Sequence, residues 1–201
     1  MGRLLITQSL ISAWAYMFDC YEGHEDSARE AFERALRREP TDRTGAMQNG
    51  IDFENCVYAE AAGRPRGPHA KWEDGIQAVA NQIRGAQTQV KASMEIEAGG
   101  EKLLLYGILD ALKAGVIYDV KFSKSYEAGK YLNSAQHPAY FRLIPEAYEF
   151  RYLISDGTCL YTEVYRRVPT RPIEGIIAEF LESLRCMGYM ETYREKWAAL
   201  S

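Results

Sequence analysis

The chain has no apolar stretch long enough to span a bilayer as a helix, which argues against a membrane-embedded role. Its amino end carries one basic residue, Arg3, and the apolar run there is soon broken by Gln8 and Ser9. No secretory signal is therefore expected, and a cytoplasmic location is the default expectation. Cysteine is sparse: Cys20, Cys56, Cys159 and Cys186 are far apart and form no CxxC pair. That spacing disfavours a zinc or disulfide framework, and the four are read as reduced, buried or partly buried thiols. An excess of positive charge is also missing, because 24 Lys and Arg face 28 Asp and Glu for a net charge of −4. A nucleic-acid surface, if present, must then be local. The local clusters are Arg34, Arg37 and Arg38; Arg64 and Arg66; Lys121, Lys124 and Lys130; and Arg166, Arg167 and Arg171. Taken singly, each reads most simply as a solvated face. Internal repeats and low-complexity tracts are absent as well, and 201 residues suit one domain.

What is there begins with helix signals. Leu10, Ala13, Trp14 and Met17 recur at helical spacing behind Thr7 or Ser9 as N-cap, predicting a helix over Thr7 to Phe18. Glu25 to Arg38 reads as a charged helix with Ala28, Ala31, Phe32, Ala35 and Leu36 as its apolar stripe, ended by Pro40. A third helix is expected from Thr44 to Ala62, with Phe53, Val57 and Tyr58 inward and Glu54 beside them. Gly63 to Pro68 reads as a loop, and Trp72 to Ile83 as a further helix.

From Gln87 the period changes to two: Thr88, Val90, Ala92, Met94 and Ile96 alternate with polar residues, the mark of a half-exposed strand. Two more strands, Leu103 to Leu112 and Val116 to Phe122, complete an antiparallel meander. After a polar connection from Ser123 to Ser134, a helix is expected over Ala135 to Leu143. Strands Tyr148 to Ser155 and Thr158 to Tyr165 then flank Asp156-Gly157, a hairpin turn signal. Helices Ile173 to Met187 and Glu191 to Leu200 follow. The expected fold is α/β (α+β): a central mixed, mostly antiparallel five-stranded sheet flanked by helices, in one domain. Residues 1–85 would form its helical part, 86–168 the sheet core with the site, and 169–201 the C-terminal helices.

The chemistry concentrates in the hairpin. If its turn centres on Ala114-Gly115, Asp110 lies opposite Asp119, and Asp119 and Lys121 share a face. Two like charges facing each other across a ladder destabilise it. Two arrangements relieve that cost. Either one Asp faces solvent and the other pairs with Lys121, or a divalent cation with a taste for hard oxygen ligands, magnesium or manganese, sits between the carboxylates.

Taken with their neighbours, these residues resemble the PD-(D/E)XK nuclease superfamily. Asp110 followed by Asp119-Val120-Lys121 is similar to its acidic and (D/E)xK motifs. Gln136-His-Pro-Ala-Tyr140 resembles the QxxxY motif of the RecB-like, phage-type exonuclease branch. Gly50-Ile-Asp-Phe-Glu54 stands where that branch has its first helical motif. The likeness runs over nearly the whole chain in the right order.

It implies a restriction-endonuclease-like core and a magnesium- or manganese-dependent deoxyribonuclease, an exonuclease in DNA recombination, repair or phage DNA processing. By resemblance Asp110 and Asp119 are metal ligands, the Val120 carbonyl a third, and Glu54 the helical acidic ligand. Lys121 positions the attacking water, and Gln136 and Tyr140 orient the site and touch the DNA backbone. Lys124 and Tyr131 are further candidates for DNA contact, Tyr131 by stacking on bases or else by packing over the sheet. Many relatives carry His where Glu54 stands, which favours an all-oxygen site here. Branches with an iron–sulfur cluster need one early and three late cysteines, so none is expected. Implied partners are DNA and, as a candidate, a single-strand annealing or recombination protein; some relatives form rings, which leaves oligomerisation open. Two alternatives are a structure-specific endonuclease on the same site and a DNA-end-binding protein without turnover. Glu95, Glu97 and His137 are read as exposed or structural.

Overall fold

In the computed structural model, which describes residues 2–65 and 70–199, one six-stranded mixed sheet is flanked by seven α-helices among the described residues. Residues 66–69, with Arg66 and most of the end of the expected Gly63 to Pro68 loop, lie outside the described residues. The sheet contains one strand more than the sequence suggests. The first four residues of the apolar run, Leu4–Thr7, form β1, which pairs in parallel with β3 (Glu101–Lys113) from Leu4↔Leu103 to Thr7↔Tyr106. A four-residue run is too short to announce a strand by its period. It is held from both sides, because Leu5 N–H donates to the Trp197 carbonyl and Ala199 N–H to that of Arg3. The amino-terminal part is therefore not wholly helical.

Helix α1 (Gln8–Asp19) starts directly at the end of β1, where the Thr7 hydroxyl accepts from Leu10 N–H. Helix α2 (Glu25–Arg37) ends at Arg38, which takes a left-handed φ of 57° and donates its N–H to the Ala35 carbonyl. The stop thus comes before Pro40 is reached. Helix α3 (Gly45–Ala61) is capped by the Thr44 hydroxyl and buries Phe53, Val57 and Tyr58. A short 3₁₀ turn, Ala70–Trp72, leads into α4 (Glu73–Ile83).

Strands β2 (Gln87–Ala98), β3 and β4 (Val116–Phe122) form the antiparallel meander. The β3–β4 turn centres on Ala114 and Gly115, with φ of 49° and 75°; both central residues are left-handed, as a hairpin turn of the primed type needs. After α5 (Gln136–Leu143) the chain returns as β5 (Glu149–Ser155), parallel to β4, and then β6 (Leu160–Arg166), antiparallel to β5. The β5–β6 connection is longer than a two-residue turn: Asp156 Oδ1 accepts from both Thr158 and Cys159 N–H at 2.8 Å, and the Ser155 hydroxyl donates to the Cys159 carbonyl. The expected tight Asp156-Gly157 hairpin is thereby replaced by an Asp-centred loop. Helices α6 (Ile173–Cys186) and α7 (Met190–Lys196) follow.

Three of the five strand pairings are antiparallel and two are parallel. Two apolar clusters cover the sheet. One joins β1, α1, α2, α5, α6 and α7 around Leu103, Leu105, Phe150 and Phe180; the other joins α3 and α4 to Val116, Tyr118, Val120 and Leu153. Among the cysteines, Cys56 is buried and Cys20 partly so, as expected, whereas Cys159 and Cys186 are exposed, contrary to the expectation of buried or partly buried thiols. No helix among the described residues is long and apolar enough to cross a membrane.

Candidate active site

The site lies where β3 and β4 part. One edge of β3 pairs with β1 up to Tyr106 and with β4 only from Ala111 onward. Residues 107 to 110 are left without a strand neighbour on that edge, and their backbone groups need other partners. Helix α5 supplies one: the Tyr140 hydroxyl donates to the Ile108 carbonyl at 2.7 Å. Facing it, the β4 edge is met by the Asp110 side chain, whose Oδ2 accepts from Val120 N–H at 2.7 Å. The helix comes this close because residue 107 is glycine; a Cβ there would lie 2.5 Å from Tyr140 Cε1.

The hairpin register points Asp110 at Asp119, but the ladder stops one pair short, at Ala111↔Tyr118. The two carboxylates therefore meet at an opening, not as a ladder pair. In a strand, N–H and C=O of one residue face the same neighbour. Since Val120 N–H faces Asp110, its carbonyl is directed to the same opening.

Asp119 is 1% exposed. Gln136 Nε2 donates to its Oδ1, and Lys121 Nζ lies 2.8 Å from its Oδ2. Lys121 is thus the ionic partner of Oδ2, an oxygen closed off from solvent. Burial, followed by the charges of Asp119 and Glu54, pushes the Asp110 carboxyl well above its ordinary range, against the opposing pull of Lys121 and Val120 N–H. Burial raises Asp119 too, with Lys121 and Gln136 acting against it. For Lys121, burial works to lower the pKa, but Asp119 and Asp110 outweigh it and hold the ammonium charged.

Glu54, on α3, stands further off. Its Oε1 accepts from Tyr58 Oη at 2.5 Å, and Gln89 Nε2 lies 3.5 Å from the same oxygen and 2.8 Å from Tyr58 Oη. No three Asp, Glu, His or Cys side chains among the described residues converge on one point as a ready ligand set. The donors at the opening are two carboxylates and a main-chain oxygen, with a single ammonium, that of Lys121, beside them. That all-oxygen set fits a magnesium or manganese ion, which keeps several waters and needs few protein ligands.

Of the other residues singled out in the sequence, Gln136 and Tyr140 are buried and spent on Asp119 and Ile108. Tyr131 lies flat on Tyr152, with ring centroids 4.4 Å apart, so one ring face is already covered. Lys124 is exposed on the connection after β4. That connection is tied down by Glu163 of β6, which accepts from Tyr126 Oη, Gly129 N–H, Tyr131 N–H and Tyr165 Oη. Burial opposes the charge of Glu163, but these donors outweigh it and hold its carboxyl below the usual range. Glu95 is exposed and paired with Arg3; Glu97 is exposed; His137 is buried and stacked on Tyr165. Of the basic clusters, Arg167 is spent inside the protein on the carbonyls of Phe141, Ile144 and Ala147, and Arg171 pairs with Glu179.

Sequence reasoning missed Gln89 and Tyr58 as neighbours of the carboxylates. Gln89 occupies an ordinary polar position of an alternating strand, and Tyr58 an ordinary inward position of a helix. The i, i+4 spacing of Glu54 and Tyr58 was the one available signal.

No protein-family model matches the chain, and no curated protein matches it in sequence. Solved structures with a similar chain path include SSO0001, at 14% identity over 93% of this chain and 77% of that one, with a TM-score of 0.49. LHK-Exo in complex with dAMP gives 15% identity over 95% of this chain and 92% of the other, with a TM-score of 0.45. Rai1 from Scheffersomyces stipitis gives 12% identity over 90% and 61%, with a TM-score of 0.36.

Proposed function

We propose that this chain is a PD-(D/E)XK-type deoxyribonuclease of the RecB-like branch, using magnesium or manganese to hydrolyse phosphodiester bonds from DNA ends. The observation that carries this reading is the pair Asp110 and Asp119 at the β3–β4 opening, with Asp119 buried and Lys121 as the one ammonium beside them. A buried carboxylate, Asp119, and a partly buried one, Asp110, with one ammonium leave uncompensated negative charge, and a divalent cation relieves it better than any side chain present.

Asp110, Asp119 and the Val120 carbonyl would hold that cation, with Glu54 as a further acidic group on its α3 side. When bound, the cation supplies Lewis acidity and neutralises phosphate charge. Gln136 fixes the Asp119 carboxylate through Oδ1 and turns Oδ2 towards Lys121. Lys121 keeps its proton because Asp119 and Asp110 hold it charged. It can therefore donate to a phosphate oxygen or orient a water for attack at phosphorus, and it stabilises charge on the phosphate as the bond to the leaving sugar oxygen breaks. Tyr140 holds the β3 edge in place. Lys124 and the connection carrying Tyr131 form one bank along which a DNA strand would run, and recombination, repair or phage DNA processing is the proposed setting.

The test is incubation of linear and covalently closed circular DNA with magnesium or manganese. Loss of linear DNA, with circles intact, is expected of the wild type. Asp110→Ala and Lys121→Ala are each expected to reduce the rate at least about 100-fold, the scale of losing one preorganised charge at a reacting centre. Cutting of circles would favour the endonuclease, and undiminished hydrolysis in both variants would remove the assignment.

A further inference from the structure

The longest ladder of the sheet has one gap. Strands β2 and β3 pair from Gln87↔Leu112 to Ala98↔Glu101, with Thr88↔Ala111 and Val90↔Leu109 on either side of the position where Gln89 would meet Asp110. Only that pair is missing from the register. Gln89 has a φ of 54°, a left-handed conformation that costs a residue with a Cβ about 1–2 kcal/mol. A glutamine gains nothing local in return, unlike an asparagine, and it sits inside a strand, not at a turn.

The gap has a consequence for β3. Leu109 and Ala111 are two residues apart and should share a face, yet Leu109 belongs to the cluster under α5 and Ala111 to the cluster under α3 and α4. The strand turns its faces over at Asp110, opposite the strained residue. Through the same distortion Gln89 reaches towards α3. Its Nε2 donates to Tyr58 Oη at 2.8 Å, and Tyr58 donates to Glu54 Oε1 at 2.5 Å. An amide on a strand thus fixes a phenol on a helix, and the phenol fixes a carboxylate one turn earlier. Tyr58 is buried, and it carries this proton between groups from two different elements.

We propose that Gln89 is a positioning residue of the carboxylate site, holding Tyr58 and through it Glu54 on the α3 side of Asp110, so that the field of this acidic group favours a divalent cation bound at the β3–β4 opening. This rests on the reading of Asp110 and Asp119 as a cation site. Strain kept in the middle of a long ladder is then explained, since an unstrained, fully paired strand would leave Asp110 on another face and Tyr58 without its second partner. Gln89 touches neither the cation nor the DNA; its short bond is to Tyr58 Oη at 2.8 Å, with Glu54 Oε1 at the longer 3.5 Å, so it acts chiefly through Tyr58.

The experiment titrates Mn2+ into the intact chain, following free Mn2+ by its magnetic resonance signal, and measures Tm alongside. Wild type, Asp110→Ala, Gln89→Gly, Tyr58→Phe and the Gln89→Gly/Tyr58→Phe double variant are compared. Gln89→Gly removes the amide and also the backbone strain, so Tm should stay or rise. Its Mn2+ affinity should fall about 10-fold or more, the usual effect of losing a partner that orients a ligand. Tyr58→Phe should give a similar loss, and the double variant no more than the larger single effect. Unchanged Mn2+ affinity in Gln89→Gly, multiplying losses in the double variant, or a loss of affinity that merely follows a fall in Tm would each overturn the proposal. Absence of Mn2+ binding by the wild type would overturn the cation reading itself and this proposal with it. Binding that is abolished in Asp110→Ala but untouched in Gln89→Gly would overturn only the role of Gln89.

Discussion

His137 follows Gln136 on α5, with its ring 4.3 Å from that of Tyr165 in a stacked arrangement and its Nδ1 3.3 Å from Tyr152 Oη. Burial pushes its pKa down from 6.5 to about 4. Between those two values the unfolded chain binds a proton at this position and the folded chain does not, so stability rises with pH across the window. The contribution is fully present above pH 6.5 and is lost as the pH falls towards 4. Urea unfolding at pH 7 and at pH 4.5 should show a loss on the order of 1–3 kcal/mol in the wild type that His137→Gln largely lacks. At this scale the sequence is legible only where a residue's role follows from its spacing. Asp110, Asp119 and Lys121 could be placed together because a two-residue turn and a period of two fix their relation. Gln89 could not be found this way. Its left-handed backbone is imposed by what surrounds it, and nothing in a glutamine announces that conformation. Gln136 and Tyr140 were expected at the site by resemblance, but their partners were hidden, because Asp119 and a bare β3 carbonyl become their neighbours only when α5 docks.

Docking of α5 is the decisive event among the elements. The helix crosses β3 where one edge of the strand has no neighbour, and it comes close enough for the Tyr140 ring to lie over Gly107. In Gly107→Ala the added methyl would meet Tyr140 Cε1 at 2.5 Å and Leu143 Cδ1 at 3.0 Å. Tyr140 cannot simply swing away, since its hydroxyl is tied to the strand. The helix must lift instead, and overpacking of this kind costs about 1–3 kcal/mol by denaturant unfolding. Lifting α5 also draws Gln136 from Asp119, so Gly107→Ala should lose DNA hydrolysis beyond what its remaining folded fraction accounts for. The helices were readable from caps and 3.6-residue periods: Thr7, one of the two expected caps, does cap α1, and Thr44, expected as the first residue of α3, is its cap instead. The elements missed are those whose reason is distant. Strand β1 is four residues long and exists because β3 and the segment around Trp197 present it with hydrogen-bonding edges. The β5–β6 loop opened beyond two residues because Gly157 packs against Trp72, and its carbonyl accepts from Gly75 N–H of α4.

Across the whole molecule, the two apolar clusters are divided by the sheet but not independent of each other. Ile117 feeds one and Val116 and Tyr118 the other; Ile154 feeds one and Leu153 the other. Neighbouring residues of β4 and β5 therefore serve opposite cores, and neither core can melt without withdrawing strands from its counterpart. On this ground the chain is proposed to unfold as a single unit. Trp197 tests this, since it belongs to the first cluster while Trp72 lies in the second. The Trp197 indole donates to the Leu36 carbonyl at 2.7 Å and lies under the Arg38 guanidinium at 4.2 Å, while its own carbonyl accepts from Leu5 N–H of β1. Trp197→Ala removes the ring from the seam between α2, α7 and β1, and should cost about 3–5 kcal/mol. If the chain is one unit, the variant's urea transition moves to lower concentration without splitting, and far-ultraviolet circular dichroism and the fluorescence of Trp72 and Trp14 report the same midpoint. A fluorescence transition that stays near the wild-type midpoint while the helical signal is lost early would mean that the α3–α4 side holds without the rest, and that the site between the two cores is assembled from separately folding parts.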